Sequence, residues 1–338
     1  MKHAILGAAM LALLSGCSQS RPAGDDYLVY VTNEGSGDIS VIDPAKRTEI
    51  ARIPIGKRPR GLVASPDGRL LYVAVSGSPA AGPGVDETKL PPPDKGADGI
   101  AVIDLARRTI VRTLRGISDP EQVAISPDGQ RLYVASEDRG VVVVIDRDGR
   151  KLAELAVGGE PEGIGVSPDG ASVLATSEED SSVAILRGSP LKVVARVGVG
   201  SRPRNATFVG AARAVVPGET DASISIVDVA AGTRTRTIIL PPTDRPMGVA
   251  ALDGHTVLLT TGRGGRLVKI DIDKADAVIG AATVGTRPWG VAVAPDRRLA
   301  FTANGPSGDV TIVDTATMKV TAKVKVGTGP WGATVVRQ

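Results

Sequence analysis

One short pattern, a proline followed by a variable residue and then an apolar run, recurs seven times along the chain. The copies are Pro59-Arg60-Gly61-Leu62, Pro120-Glu121-Gln122-Val123, Pro161-Glu162-Gly163-Ile164, Pro203-Arg204-Asn205-Ala206, Pro246-Met247-Gly248-Val249, Pro288-Trp289-Gly290-Val291 and Pro330-Trp331-Gly332-Ala333. Successive prolines lie 61, 41, 42, 43, 42 and 42 residues apart. A period near 42 is that of one propeller blade of four short strands. The longer first interval places an insert within residues 76–99, a polar stretch holding Pro79, Pro83 and Pro91-Pro92-Pro93.

Each repeat carries the residues that four antiparallel strands need. In the third, strands are expected over Glu162 to Val166, Ala171 to Thr176, Val183 to Leu186 and Lys192 to Val197. Ser167-Pro168-Asp169-Gly170 closes the first pair, because proline presets φ at the second turn position and glycine tolerates positive φ at the fourth. Ser65-Pro66-Asp67-Gly68 and Ser126-Pro127-Asp128-Gly129 repeat the turn, whereas later copies decay to Leu252-Asp253-Gly254 and Ala294-Pro295-Asp296-Arg297. Aromatic residues are only 2% of the chain, so small and β-branched side chains must fill sheets buried on both faces.

The ends of the chain complement each other. Tyr27 to Val31 matches the second strand of a repeat, and Trp331 to Val336 matches the first. The expectation is therefore an all-β fold, a seven-bladed β-propeller of four-stranded antiparallel blades, closed by the C-terminal strand completing the first blade. Residues 27–338 form one domain in this reading; two smaller propellers or an open solenoid are the alternatives.

Residues 1–16 have a basic start and a short apolar run, Ala4 to Leu14, which suits a secretory signal and is too short to span a bilayer. The run ends in Leu14-Ser15-Gly16-Cys17, which resembles the bacterial lipobox, and Cys17 is the only cysteine. That resemblance implies lipidation of Cys17, a flexible tether over residues 17–26, and a periplasmic lipoprotein held at the outer membrane, with contact to the membrane through the anchor alone.

The strings Tyr30-Val31-Thr32-Asn33, Ile39-Ser40-Val41-Ile42-Asp43 and Arg58-Pro59-Arg60-Gly61-Leu62 resemble the YVTN family of β-propeller repeats over roughly residues 27 to 336. The residues that follow each hinge proline resemble, more narrowly, propeller proteins found beside genes of pyrroloquinoline-quinone-dependent alcohol catabolism. The resemblance implies a secreted propeller accompanying a quinoprotein dehydrogenase system. The insert, and Leu186 where the usual repeat has Asp, depart from the pattern.

In such a ring the residue after each hinge proline begins an innermost strand. Arg60, Glu121, Glu162, Arg204, Met247, Trp289 and Trp331 are thus expected around one mouth, with Glu137, Glu178, Glu219 and Arg263 from the next loops on the same face. Two tryptophans beside guanidinium groups can hold a planar anion or a carboxylate by stacking and paired hydrogen bonds. Equally, Arg and Glu can neutralise each other while the tryptophans plug the tunnel. Asp43, Asp104, Asp146, Asp228, Asp271 and Asp314 recur once per blade and read as turn caps. Gly262-Arg263-Gly264-Gly265-Arg266 sits between strands and opens no helix, so it reads as a hairpin loop.

Composition removes most chemistries. Two histidines, of which only His255 follows the signal, build neither a metal cluster nor a bis-histidine haem site. The net charge of +3 gives no basic footprint for nucleic acid. No cofactor, metal or catalytic residue is assigned. The expected role is a binding or scaffold module for a periplasmic partner protein or a small anionic ligand. The alternative is a lactonase-like hydrolase in which Glu137, Glu178 and Glu219 ligate Ca²⁺.

Overall fold

The computed structural model describes residues 26–80 and 86–338. The signal segment 1–16, Cys17 and nearly all of the tether lie outside the described residues. Seven four-stranded antiparallel sheets follow one another around an axis. Six are built from consecutive strands; in the fourth these are Pro161–Val166, Ser172–Ser177, Ser182–Arg187 and Lys192–Gly198. The first blade is composite, with Pro330–Arg337 pairing antiparallel to Tyr27–Asn33, followed by Asp38–Asp43 and Thr48–Pro54. Gln338 N–H donates to the Asp26 carbonyl at 2.9 Å, so the tail and head of the described chain meet.

Hydrophobic clusters lie between neighbouring sheets. One combines Tyr72, Ile100 and Val102 of the second blade with Leu132, Val134 and Val143 of the third. Val, Ile, Leu and Ala dominate, as two-sided burial requires. The recurrent aspartates cap their turns: Asp43 Oδ1 accepts the N–H of Ala45 at 3.0 Å, and Asp228 Oδ1 that of Ala231 at 2.8 Å. In the Ser-Pro-Asp-Gly turns Gly68, Gly129 and Gly170 all have φ near +70°. The decayed copy keeps that backbone with Arg297, at φ +64°.

Convergence of the innermost strands sets the strongest packing limit. A Cβ on Gly248 would lie 2.2 Å from the Trp289 carbonyl oxygen, and one on Gly332 2.8 Å from that of Arg60. The glycine of Pro-x-Gly is therefore required by the backbone of the next blade. A threonine of the second strand fastens each such contact. Thr32 Oγ1 accepts the Gly332 N–H at 2.9 Å and donates to the Arg60 carbonyl at 2.7 Å. Thr260 does the same between Gly248 and Trp289, at 2.9 and 2.6 Å. In the fifth blade the inner strand shrinks to Thr207–Val209, and Pro203 keeps only an isolated bridge to Gly218.

Every residue before a hinge proline has positive φ: Arg58, Asp119, Glu160, Arg202, Arg245 and Arg287 lie between +38° and +58°, and Gly329 is at +66°. Non-glycine residues in this region cost of order 1 kcal/mol or more each. Six charged side chains are thus held in a backbone conformation that glycine would adopt more easily.

Truncation after Gly329 removes the strand that closes the ring. We expect the melting temperature to fall by more than about 10 °C and cooperativity to be lost; calorimetry showing one sharp, barely shifted transition would refute closure as the fastening.

Candidate functional site

Residues beside the hinge prolines and the loops after the second strands surround a cavity of about 1070 Å³ at one end of the axis. Its wall includes Arg60, Glu162, Arg204, Trp289 and Trp331 of the inner ring, together with Glu34, Glu137 and Glu178 from the next loops. Residues 78–80 and 90–93 of the insert form part of the same wall. The insert is tied down by Lys57 to Asp94 at 2.7 Å, by Lys95 to Asp138, and by Arg58 donating to the Ser78 carbonyl at 2.9 Å. A smaller space of about 110 Å³ lies in the tunnel beneath, sharing Glu162, Arg204, Trp289 and Trp331 with the mouth. These four side chains form the floor.

The floor is held by charges and rings in series. Arg60 pairs with buried Glu121 and lies 5.0 Å from the Trp331 ring centre. Trp331 stacks on Trp289 at 5.7 Å and 27°. Arg204 and Arg287 lie 5.5 and 4.9 Å from the Trp289 ring centre. Arg204 then reaches Glu162 and Glu178 at 2.5 Å each and Glu219 at 3.0 Å, with only 9% of its side chain exposed. Both readings of the sequence meet here: the Arg-Glu pairs form, and the tryptophans stack with each other and with guanidinium groups inside the protein. A planar ligand stacking on either ring would compete with an arginine already in place.

Other expected ring members are placed elsewhere. Met247 is buried and faces the tunnel space, Glu121 is fully buried behind Arg60, and Glu219 acts as a partner of Arg204. Arg263 lines a separate groove between the sixth and seventh blades. Glu137, Glu178 and Glu219 do not converge as one ligand set. Glu178 and Glu219 meet at Arg204, whereas Glu137, Asp119 and Glu121 bring carboxylate oxygens within 4.8 Å of one another. That trio has the donors for a hard cation, although the Arg60 guanidinium already lies against Glu121 and opposes one. Asp119 stands at the hinge position and was absent from the sequence reading; Ser76 also donates to it.

Two polar groups at the floor lack acceptors. Trp331 Nε1 and Arg60 Nε are buried with no hydrogen-bond partner among the described residues, Arg60 Nε lying 3.8 Å from Glu34 Oε1 and beside Glu121, whose carboxylate oxygens are likewise unmet. Leaving such a donor unmet costs about 1–3 kcal/mol. Arg287 is half-buried on the cavity wall, and among the described residues no carboxylate pairs with it. Burial pulls its pKa below the ordinary value; the charge of Glu219 opposes this, and the like charges of Arg204, Arg202 and Arg263 add to it.

The acidic wall titrates near neutrality. Burial, with the charge of Glu162 added, pushes both Glu137 and Glu178 up to about 7. Burial would also raise Glu162, but Arg204 and then Arg60 overcome it and hold Glu162 below its usual range. Because the fold favours protonated Glu137 and Glu178, their stabilisation is present below the ordinary carboxyl pKa and is lost as pH rises through about 7. Glu162 has the opposite sign, and its stabilisation is lost only in acid. Glu137→Gln should flatten the fall in melting temperature between about pH 5 and 8; a slope equal to that of the unmodified protein would remove this assignment.

Comparison with known proteins places this geometry. The family model described as a YNCE-like beta-propeller matches residues 84–337. Antigen Lp49 of Leptospira interrogans is 32% identical over 138 residues, a match reaching 32% of this chain and 30% of that protein's length. Among solved structures, a functionally unknown protein from Desulfotomaculum acetoxidans aligns with a TM-score of 0.74 and 15% identity, covering 92% of this chain and 99% of that one. Hydrazine synthase of Kuenenia stuttgartiensis gives 0.72 at 18% identity, covering 90% and 100%. A protein of Bacteroides uniformis, provisionally described as a 6-phosphogluconolactonase, gives 0.73 at 15% identity, covering 92% and 100%. At these identities the likeness concerns the fold.

Proposed function

The chain belongs to the YNCE-like β-propeller family, and from that premise we propose that it is a binding module whose mouth takes a small anionic ligand or an acidic loop of a partner protein. The observation that carries this reading is the buried Trp331 Nε1, which has no acceptor among the described residues, in a floor whose arginines are already paired with acids. An unmet donor below a large cavity favours an incoming acceptor. Arg287, unpaired and pressed against Trp289, adds a fixed positive charge on the wall. The proposed setting is the periplasm, with Cys17 lipidated at the outer membrane and a quinoprotein dehydrogenase system as the partner, on the strength of the lipobox and of the repeat pattern.

Calorimetry with aromatic and aliphatic dicarboxylates tests the mouth. The double variant Trp289→Ala, Trp331→Ala should bind at least about tenfold more weakly than the unmodified protein; equal affinities would overturn the reading. For the anchor, the mass of the native N-terminal peptide should equal that of a chain beginning at acylated Cys17, and an unmodified peptide starting elsewhere would remove the anchor.

A second reading, a lactonase-like hydrolase, rests on the Asp119, Glu121 and Glu137 cluster and on the Bacteroides neighbour. It requires lactone turnover that a calcium chelator abolishes together with a lowered melting temperature. Neither effect is expected of the binding module.

A further inference from the structure

Between the sixth and seventh blades lies a second cavity, of about 580 Å³, bounded by the turn at residues 262–265, by residues 283–287 and by Pro306, Ser307 and Lys323. Three of its lining side chains are charged, and all three are cations: Arg263, Arg287 and Lys323. No carboxylate lines it. Asp244, which packs beneath the turn, is committed to Arg266, whose Nε donates to it at 3.2 Å. Lys323 is held in place by donating to the Val284 carbonyl at 2.8 Å, and Lys325 reaches the Ser307 carbonyl at 3.0 Å on the same rim.

The glycines of this groove have a packing reason. A Cβ on Gly262 would meet Met247 Sδ at 2.5 Å, one on Gly264 Asp244 Oδ1 at 2.3 Å, and one on Gly285 Ser307 Oγ at 2.4 Å. The cations have no such reason. Elsewhere in the ring some arginines are matched by acids, as Arg204 is by Glu162 and Arg58 by Glu34 at 2.9 Å, and others, such as Arg187 and Arg236, are satisfied by backbone carbonyls. Arg263 and Lys323 are exposed and Arg287 is half-buried, so water screens part of their repulsion, and an anion entering the groove would meet three cations at once.

We propose that this groove is an oxyanion site that takes a phosphate group, either free or as the monoester of a small molecule. Three cations without a carboxylate match a doubly charged tetrahedral anion better than a single carboxylate, and guanidinium groups bind its oxygens through paired N–H donors. The site lies outside the mouth and shares only Arg287 and Pro306 with it. It therefore stands whether or not the mouth binds carboxylates.

The test is calorimetry with inorganic phosphate and with glycerol phosphate, at low ionic strength, on the full chain. The unmodified protein should show saturable binding of one phosphate. Arg263→Gln with Lys323→Gln should weaken it at least about tenfold. Arg287→Gly should lose binding while melting no lower than the unmodified protein, since glycine relieves the left-handed backbone. Equal affinity for both probes identifies free phosphate as the anion; tighter binding of glycerol phosphate identifies a phosphomonoester. No saturable heat with either probe, or an unchanged affinity in the double variant, would overturn the proposal.

Discussion

The crowding of seven innermost strands at the axis is the constraint from which the rest follows. Where Gly248 passes Trp289 and Gly332 passes Arg60, no Cβ fits, and the threonine hydroxyls of Thr260 and Thr32 bridge the gap that remains. These bridges run from one blade to the next, so they resist the spreading of the ring that its hydrophobic clusters alone would permit. The same convergence brings the residue after each hinge proline, one per blade, close to the axis, and Glu162, Arg204, Trp289 and Trp331 among them form the floor. A side chain there sees its neighbours in the ring before it sees solvent, and charges introduced at that level must be matched within it. Arg204 with its three glutamates is the fullest case.

Matching is incomplete in one sector. The third to fifth blades hold the dense acid-base network, while the seventh and first place two stacked indoles between guanidinium groups. The indoles lie between Arg60 and Arg204 and give each a polarisable surface in addition to its carboxylates. Arg287 lies on the Trp289 ring and forms no close ion pair among the described residues, with Glu219 acting on it from further off. Its position joins the mouth to the neighbouring groove, so an anion in either place acts on the same guanidinium.

Much of the fold was legible in the sequence because a blade is a local object. Four strands, their turn residues and their capping aspartates all fall within 42 residues of one another, and the complementary ends of the chain disclose the closure. The composition of the floor was legible too, since the residue after the hinge proline is fixed by topology. Its internal pairing was not. Whether Trp289 offers its face to solvent or to Arg287 depends on rotamers chosen between blades, and repeat alignment carries no information about them. Glu137 joins Asp119 and Glu121, and Arg263 turns away to the groove, for the same reason. The threonine bridges left a trace in Tyr30-Val31-Thr32-Asn33, but the role of Thr32 requires the next blade to be seen. The positive φ at six charged hinge residues has no sequence signal, because a residue before proline ordinarily favours an extended backbone.

The direction of the first strand carries a consequence for orientation. Tyr27–Asn33 runs from the end of the ring where Asp26 meets Gln338 to the end where Glu34 lines the mouth. The chain therefore joins the ring from below, at the pole opposite the cavity. In a lipid-anchored protein the opening would look away from the bilayer, like a cup set upright on a surface. Anything it captures would enter at the pole opposite the one where Asp26 meets Gln338.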